Sequence, residues 1–103
     1  MPIVILITAK DKIEAKAISD KLLKDKLIAC ANIIAGIESV FWWQGKIDAA
    51  QEVLLILKSR RDSFEKIVKT VKSLHSYEVP EIIVLPIIDG NPDYLRWIDE
   101  SIG

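Results

Sequence analysis

One phrase occurs twice in this chain of 103 residues. IVILITA (3–9) is a continuous apolar run, and DKIE follows it, with Asp11 three residues ahead of Glu14. EVLLILKS (52–59) is a second such run, and DSFE follows that, with Asp62 three residues ahead of Glu65. A short apolar run of this kind reads as a buried strand. An acidic residue three ahead of a glutamate reads as a helix start, its carboxylates near the positive end of the dipole. After the first signal, Ala15, Ile18 and Leu22 repeat at i, i+3, i+7 within a helix over 12–26. After the second, Phe64, Ile67, Val68, Val71 and Leu74 form a cleaner helical face. A β-rich segment closes each half: CANIIAGIESVFWW (30–43) and EIIVLPI (81–87). The halves meet at the turn QGK, 44–46.

The order is therefore βαββαβ, with a hairpin joining the second and third strands. Right-handed crossovers place both helices on one face of a four-stranded antiparallel sheet. The expected fold class is α+β, a ferredoxin-like sandwich. NPDYLRWIDESI (91–102) adds a C-terminal helix, with Asn91 or Asp93 as cap, Pro92 early, and Leu95 and Ile98 at i, i+3. The length suits one domain over 1–103.

Two helices cover only one face of such a sheet. A monomer needs the other face polar, yet residues 53–57 and 82–85 are apolar on both alternating sets. On the second strand Ile33 and Ile34 point opposite ways, as do Phe41 and Trp42. A C-terminal helix of about ten residues is too short to cover this surface. Apolar area of this extent calls for a homo-oligomer with packed sheets. The hairpin, 30–59, is long for a domain of this size. Its tip, SVFWWQGKI (39–47), holds Phe41 and two of the three tryptophans, Trp42 and Trp43. Aromatics on a projecting tip make sense as an interface that lands on a neighbour.

The formal charge is −1, with 14 basic and 15 acidic residues, so no overall field draws nucleic acid. The one local basic run, KSRR (58–61), reads as a solvated strand end. The N-terminal apolar run is too short for a membrane span and lacks a basic flank. One cysteine forms no internal disulfide, and the cytoplasm is the expected compartment. No HExxH, CxxC, GxSxG or glycine-rich phosphate loop is present, and the chain does not read as an enzyme.

Five ordered motifs carry a resemblance: LIACANI (27–33), SVFWWQGKI (39–47), LILKSR (55–60), HSYEVPEII (75–83) and DYLRWI (93–98). In order and spacing they resemble the CutA family of divalent-cation tolerance proteins, over nearly the whole chain. The resemblance implies a homotrimer of ferredoxin-like subunits, similar to the PII signalling proteins, whose long hairpins extend across neighbours. It also implies a role in divalent-cation tolerance, with copper or another divalent ion as the bound metal and no required cofactor. The alternative it implies is a PII-like signalling or scaffold trimer that binds a small ligand or protein partner between subunits. The family usually reads His-Pro-Tyr where this chain has His75, Ser76 and Tyr77. Some bacterial members carry a cysteine at the position of Ile7 and a histidine at that of Leu74, side chains that here cannot bind metal.

The candidate metal ligands are thus Cys30 and His75, the only residues of their kinds. A thiolate suits Cu(I), and imidazole suits most first-row metals. Each has a plainer role: Cys30 as a small buried apolar residue, His75 as a group at a helix C-terminus. Asn32, Trp43, Lys58, Tyr77 and Glu78 lie within the resembling motifs, which implies that they line the inter-subunit cleft with Cys30. Their plainer role is interface packing, including a Lys58–Glu78 ion pair.

Overall fold

The computed structural model describes all of residues 1–103. Strands β1 (Pro2–Ala9), β2 (Cys30–Trp43), β3 (Lys46–Arg60) and β4 (Ile82–Pro86) alternate with helices α1 (Lys12–Lys24) and α2 (Phe64–Leu74), and α3 (Pro92–Ser101) ends the chain. One sheet results, in the order β2-β3-β1-β4, every pair antiparallel. This is the expected βαββαβ order with its extra helix.

The repeated helix signal is honoured once. Asp11 accepts from the Glu14 amide at 2.8 Å and caps α1. Asp62 does not cap α2: a 3-10 turn, Arg61–Ser63, intervenes, and Asp62 Oδ1 instead accepts from Arg60 Nε at 3.2 Å. A strong neighbouring cation has captured the carboxylate that the helix start would use. For α3 the cap is Asn91, which accepts from the Asp93 amide, with Pro92 in the first turn.

Alternation along β1 and β3 divides the sheet cleanly. Ile3, Ile5, Ile7, Val53, Leu55 and Leu57 point under α1 and α2, where they meet Ala15, Ile18, Leu22, Ile67 and Val71. All are buried. Each fully buried aliphatic side chain contributes about 1.5–3 kcal/mol, so this layer holds the fold together. The opposite face carries Leu6, Leu54 and Ile56 half-buried, with Ile34, Ile83 and Leu85 exposed by 44%, 48% and 48%. Helix α3 covers one end of that face only. Ile98 and Ile102 bury against Ala29, and Arg60 Nη1 donates to the Asp99 carboxylate at 3.1 Å. The expectation of a largely bare apolar face is met.

A β-bulge divides β2. Ile34 pairs with Leu54, but the next matched pair is Ile37 with Glu52, so β2 carries one extra residue. Gly36 sits there at φ +75°, a left-handed backbone that glycine adopts without strain. The bulge reverses which residues of β2 face which way. Beyond it, Trp42 pairs with Ile47 and Trp43 with Lys46. Gln44 and Gly45, both at positive φ, close the hairpin in two residues. The hairpin draws the molecule out to 44 × 26 × 22 Å.

Candidate functional site

Three groups of candidate residues occupy three separate places. The first lies on the open face at the start of β2. Cys30 stands directly across from Lys58, and Asn32 follows on the same side. Lys58 Nζ donates to Asn32 Oδ1. Cys30 Sγ lies 3.7 Å from the Tyr94 hydroxyl on α3. That contact first, then burial, pushes the Tyr94 phenol above its ordinary value. Cys30 is half-buried and on the surface face, not in the core. The flanking basic residues are engaged too: Arg60 with Asp62 and Asp99, Arg61 over the Phe64 ring at 5.6 Å.

The second group lies at the far end of β1. His75 follows α2 as its C-cap, its side chain 0% exposed. Nε2 sits 2.7 Å from the Thr8 carbonyl, and Nδ1 receives the Tyr77 amide at 3.0 Å. A carbonyl only accepts and an amide only donates, so this pattern assigns the neutral ring with its proton on Nε2. Both nitrogens are spoken for, and metal binding would break one of these bonds. Glu14 reaches the same place from α1. Its Oε2 accepts from the Ser76 amide at 2.8 Å, its Oε1 from the Lys10 amide at 3.1 Å, and Oε1 lies 3.8 Å from His75 Nδ1. Burial pushes this carboxylate up, but hydrogen bonds from Ser76 and Lys10 outweigh it, and its pKa falls. The Tyr77 hydroxyl donates to Glu52 Oε2 at 2.7 Å. Burial first, then that hydrogen bond and the charges of Glu52, Glu14 and Asp11, push the phenol to about 12.

The third place is the hairpin tip. Val40, Phe41, Trp42, Trp43 and Ile47 are all exposed, Trp42 by 73% and Trp43 by 59%. Nothing in the chain covers them. Glu78 is exposed on the loop before β4 and is not paired with Lys58 of its own chain, the expected pair being one between subunits.

Within one chain, then, Cys30, Asn32 and Lys58 come together in one place, and His75 and Tyr77 in another. His75 contacts Thr8, and Cys30 lies level with Val4 through Lys58. Four strand residues separate those levels, about 13 Å at 3.3 Å per residue. Cys30 and His75 of one chain cannot share an ion. No three donors among His, Cys, Asp and Glu cluster in a metal-holding arrangement. Sequence reasoning missed Tyr94, Glu14 and Glu52. Tyr94 lies in a resembling motif, and Glu14 stood out as a helix-start residue, but their partners are 64 and 62 residues away. No local pattern encodes such pairs.

Comparison with known proteins supplies the remaining evidence. Residues 3–101 match the family model described as CutA1 divalent ion tolerance protein. The divalent-cation tolerance protein CutA of Thermus thermophilus is 43% identical over 100 residues, 97% of each chain. The chloroplastic Protein CutA 1 of rice is 43% identical over 99 residues, and there this chain spans only 56% of the relative's length. Among solved structures, the divalent cation tolerance protein of Thermus thermophilus superposes with a TM-score of 0.98 at 43% identity over the whole of both chains. The periplasmic divalent cation tolerance protein CutA of Archaeoglobus fulgidus gives 0.97 at 45%, again over the whole of both.

Proposed function

We propose, from the fact that this chain belongs to the CutA1 family of divalent ion tolerance proteins, that it acts in divalent-cation tolerance as a homotrimer. The observation that carries the reading is the uncovered apolar surface. Ile34, Ile83 and Leu85 on the open face, and Phe41, Trp42 and Trp43 at the tip, are exposed in one chain. Surface of this kind is costly in water and characteristic of an interface. Copies packed through their open faces, each tip lying on a neighbour, remove both exposures at once. The role is binding, not catalysis, and it is carried out in the cytoplasm. No helix is long and apolar enough to cross a membrane. Relatives are named for the chloroplast and the periplasm, so cell fractionation is the check on compartment.

A single chain does not fit a resident metal. Its soft donor, Cys30, touches Tyr94 and pairs with Lys58 but belongs to no cluster of metal-holding donors, and His75 has no free nitrogen. A specific divalent ion or copper site needs donors from more than one copy, with Cys30 the donor most open to it. Copper titration by calorimetry tests this. Binding is expected to be weak and to fall away in Cys30→Ala. A tight site that survives replacement of both Cys30 and His75 by Ala contradicts it.

One observation favours a second reading, a small anionic ligand between subunits. Lys58, a half-buried residue, has the neutral carboxamide of Asn32 as the partner of its ammonium, not a carboxylate. In an inter-subunit cleft with Trp43, Tyr77 and Glu78 of the trimer, that ammonium is the group to meet an anion. Calorimetry with inorganic phosphate, on the native protein and Lys58→Ala, separates this reading from metal binding.

A further inference from the structure

The segment from Ser76 to Glu81 joins α2 to β4 without regular structure. None of its residues takes part in any of the backbone–backbone hydrogen bonds made outside the helices and strands. Side chains hold its first two residues instead. The Ser76 amide donates to Glu14 Oε2, the Tyr77 amide to His75 Nδ1, and the Tyr77 hydroxyl to Glu52 Oε2. His75 is in turn fixed on the Thr8 carbonyl of β1. A segment with no backbone ladder takes its conformation from such bonds, and each one decides a large share of its local stability.

Glu14 has a particular place among them. It sits in the first turn of α1, where its own amide donates to Asp11 as part of the helix cap. Its side chain is only 7% exposed, and both carboxylate oxygens are occupied, one by Lys10 at the entry to α1 and one by Ser76. A lone buried carboxylate is unfavourable, and one that accepts two amide hydrogens is not. One of its two oxygens is therefore satisfied by the docked loop, and Glu14 in turn supplies the protein partner of the Ser76 amide.

We propose that Glu14 is a positioning residue that latches the 76–81 segment to the start of α1, so that the placement of Tyr77 depends on the first helix and not on its own backbone. The latch lies within one chain and stands apart from the assembly reading. Only its consequence for ligand binding, that it shapes the cleft at Tyr77 and Glu78, rests on that reading.

Amide hydrogen exchange on the full-length protein tests it, with Glu14→Ala and Glu14→Gln beside the native chain. Loss of one charge-assisted bond corresponds to roughly tenfold faster exchange or more. In Glu14→Ala the amides of Ser76 and Tyr77 are expected to accelerate by about that factor, while those of Ile5 and Ile7 in β1 keep their native rates. Glu14→Gln keeps one accepting oxygen and is expected to fall between the two. If Glu14→Ala does not fold, Glu14→Gln carries the test alone, again with faster exchange confined to Ser76 and Tyr77. Unchanged rates at Ser76 and Tyr77 in a folded variant overturn the proposal. So does acceleration spread evenly over β1 and the loop, which marks Glu14 as a general stabiliser of the fold.

Discussion

Tyr77 is the residue whose chemistry most directly reports the loop beside α2. In a Tyr94→Phe background it is the only tyrosine. Its phenol should then titrate near 12, measured by tyrosinate absorbance, because burial and Glu52 both disfavour the charged form. The folded value lies above the ordinary 10.0, so the folded state keeps its proton longer. The associated stability is full below about 10 and is lost as pH rises through 10 towards 12. Glu52→Gln removes the neighbouring charge but not the burial. Its midpoint should fall below the native one and stay above 10; an unchanged midpoint would show that Glu52 has no part in it. The sequence pointed to Tyr77 and His75 through a resembling motif, and the structure gives both a defined place. It could not point to Glu52 or Thr8 as their partners, because hydrogen bonds across 25 and 67 residues leave no periodic trace.

Among the elements, β2 is where local pattern and structure part. Its extent, Cys30–Trp43, follows the β-rich run, and the two-residue turn at Gln44 and Gly45 follows the glycine. The bulge went unread, although Gly36 within a strand is the signal for one. Simple alternation from Ile33 to Phe41 therefore places the tip residues on the wrong sides, since one extra residue shifts every later side chain. Gly36→Ala tests the bulge. A Cβ there meets nothing within 4 Å, so the cost is conformational and not steric crowding from neighbours. At φ +75° that cost is about 1–2 kcal/mol. Thermal melting should fall by roughly 4–8 °C for each kcal/mol in a domain of this size. No change in melting would mean that the strand can redistribute its register without loss. The helices were legible for the opposite reason: one-sided burial against a single layer leaves a regular apolar spacing, as at Ile67 and Val71. Only the cap of α2 departed, where Arg60 outcompetes the helix for Asp62.

At the scale of the molecule, the chain is a well-packed layer on one side and an unfinished one on the other. Ile3, Ile5, Ile7, Leu55 and Leu57 are sealed beneath two helices, while the reverse of the same strands stays open and the tryptophans of the tip stand in solvent. That both faces are apolar was readable from residues 53–57 and 82–85, and so was the shortfall of α3 as a cover. On the proposed assembly, what completes the surface lies outside one chain, so no reading of that chain alone supplies it. In the trimer we propose, the tip aromatics are the anchors of each copy on the next, and removing such an anchor typically costs on the order of 2–4 kcal/mol at an interface. Trp97, on α3 with its ring tilted 36° against Tyr94 at 5.5 Å, lies off the hairpin tip. Sedimentation equilibrium at micromolar concentration is the direct measurement, made on the native protein, Trp42→Ala, Trp43→Ala and Trp97→Ala. The account predicts a native mass of three times 11.6 kDa, retained in Trp97→Ala and dissociating in one or both hairpin variants. A stable native species of 11.6 kDa would contradict it.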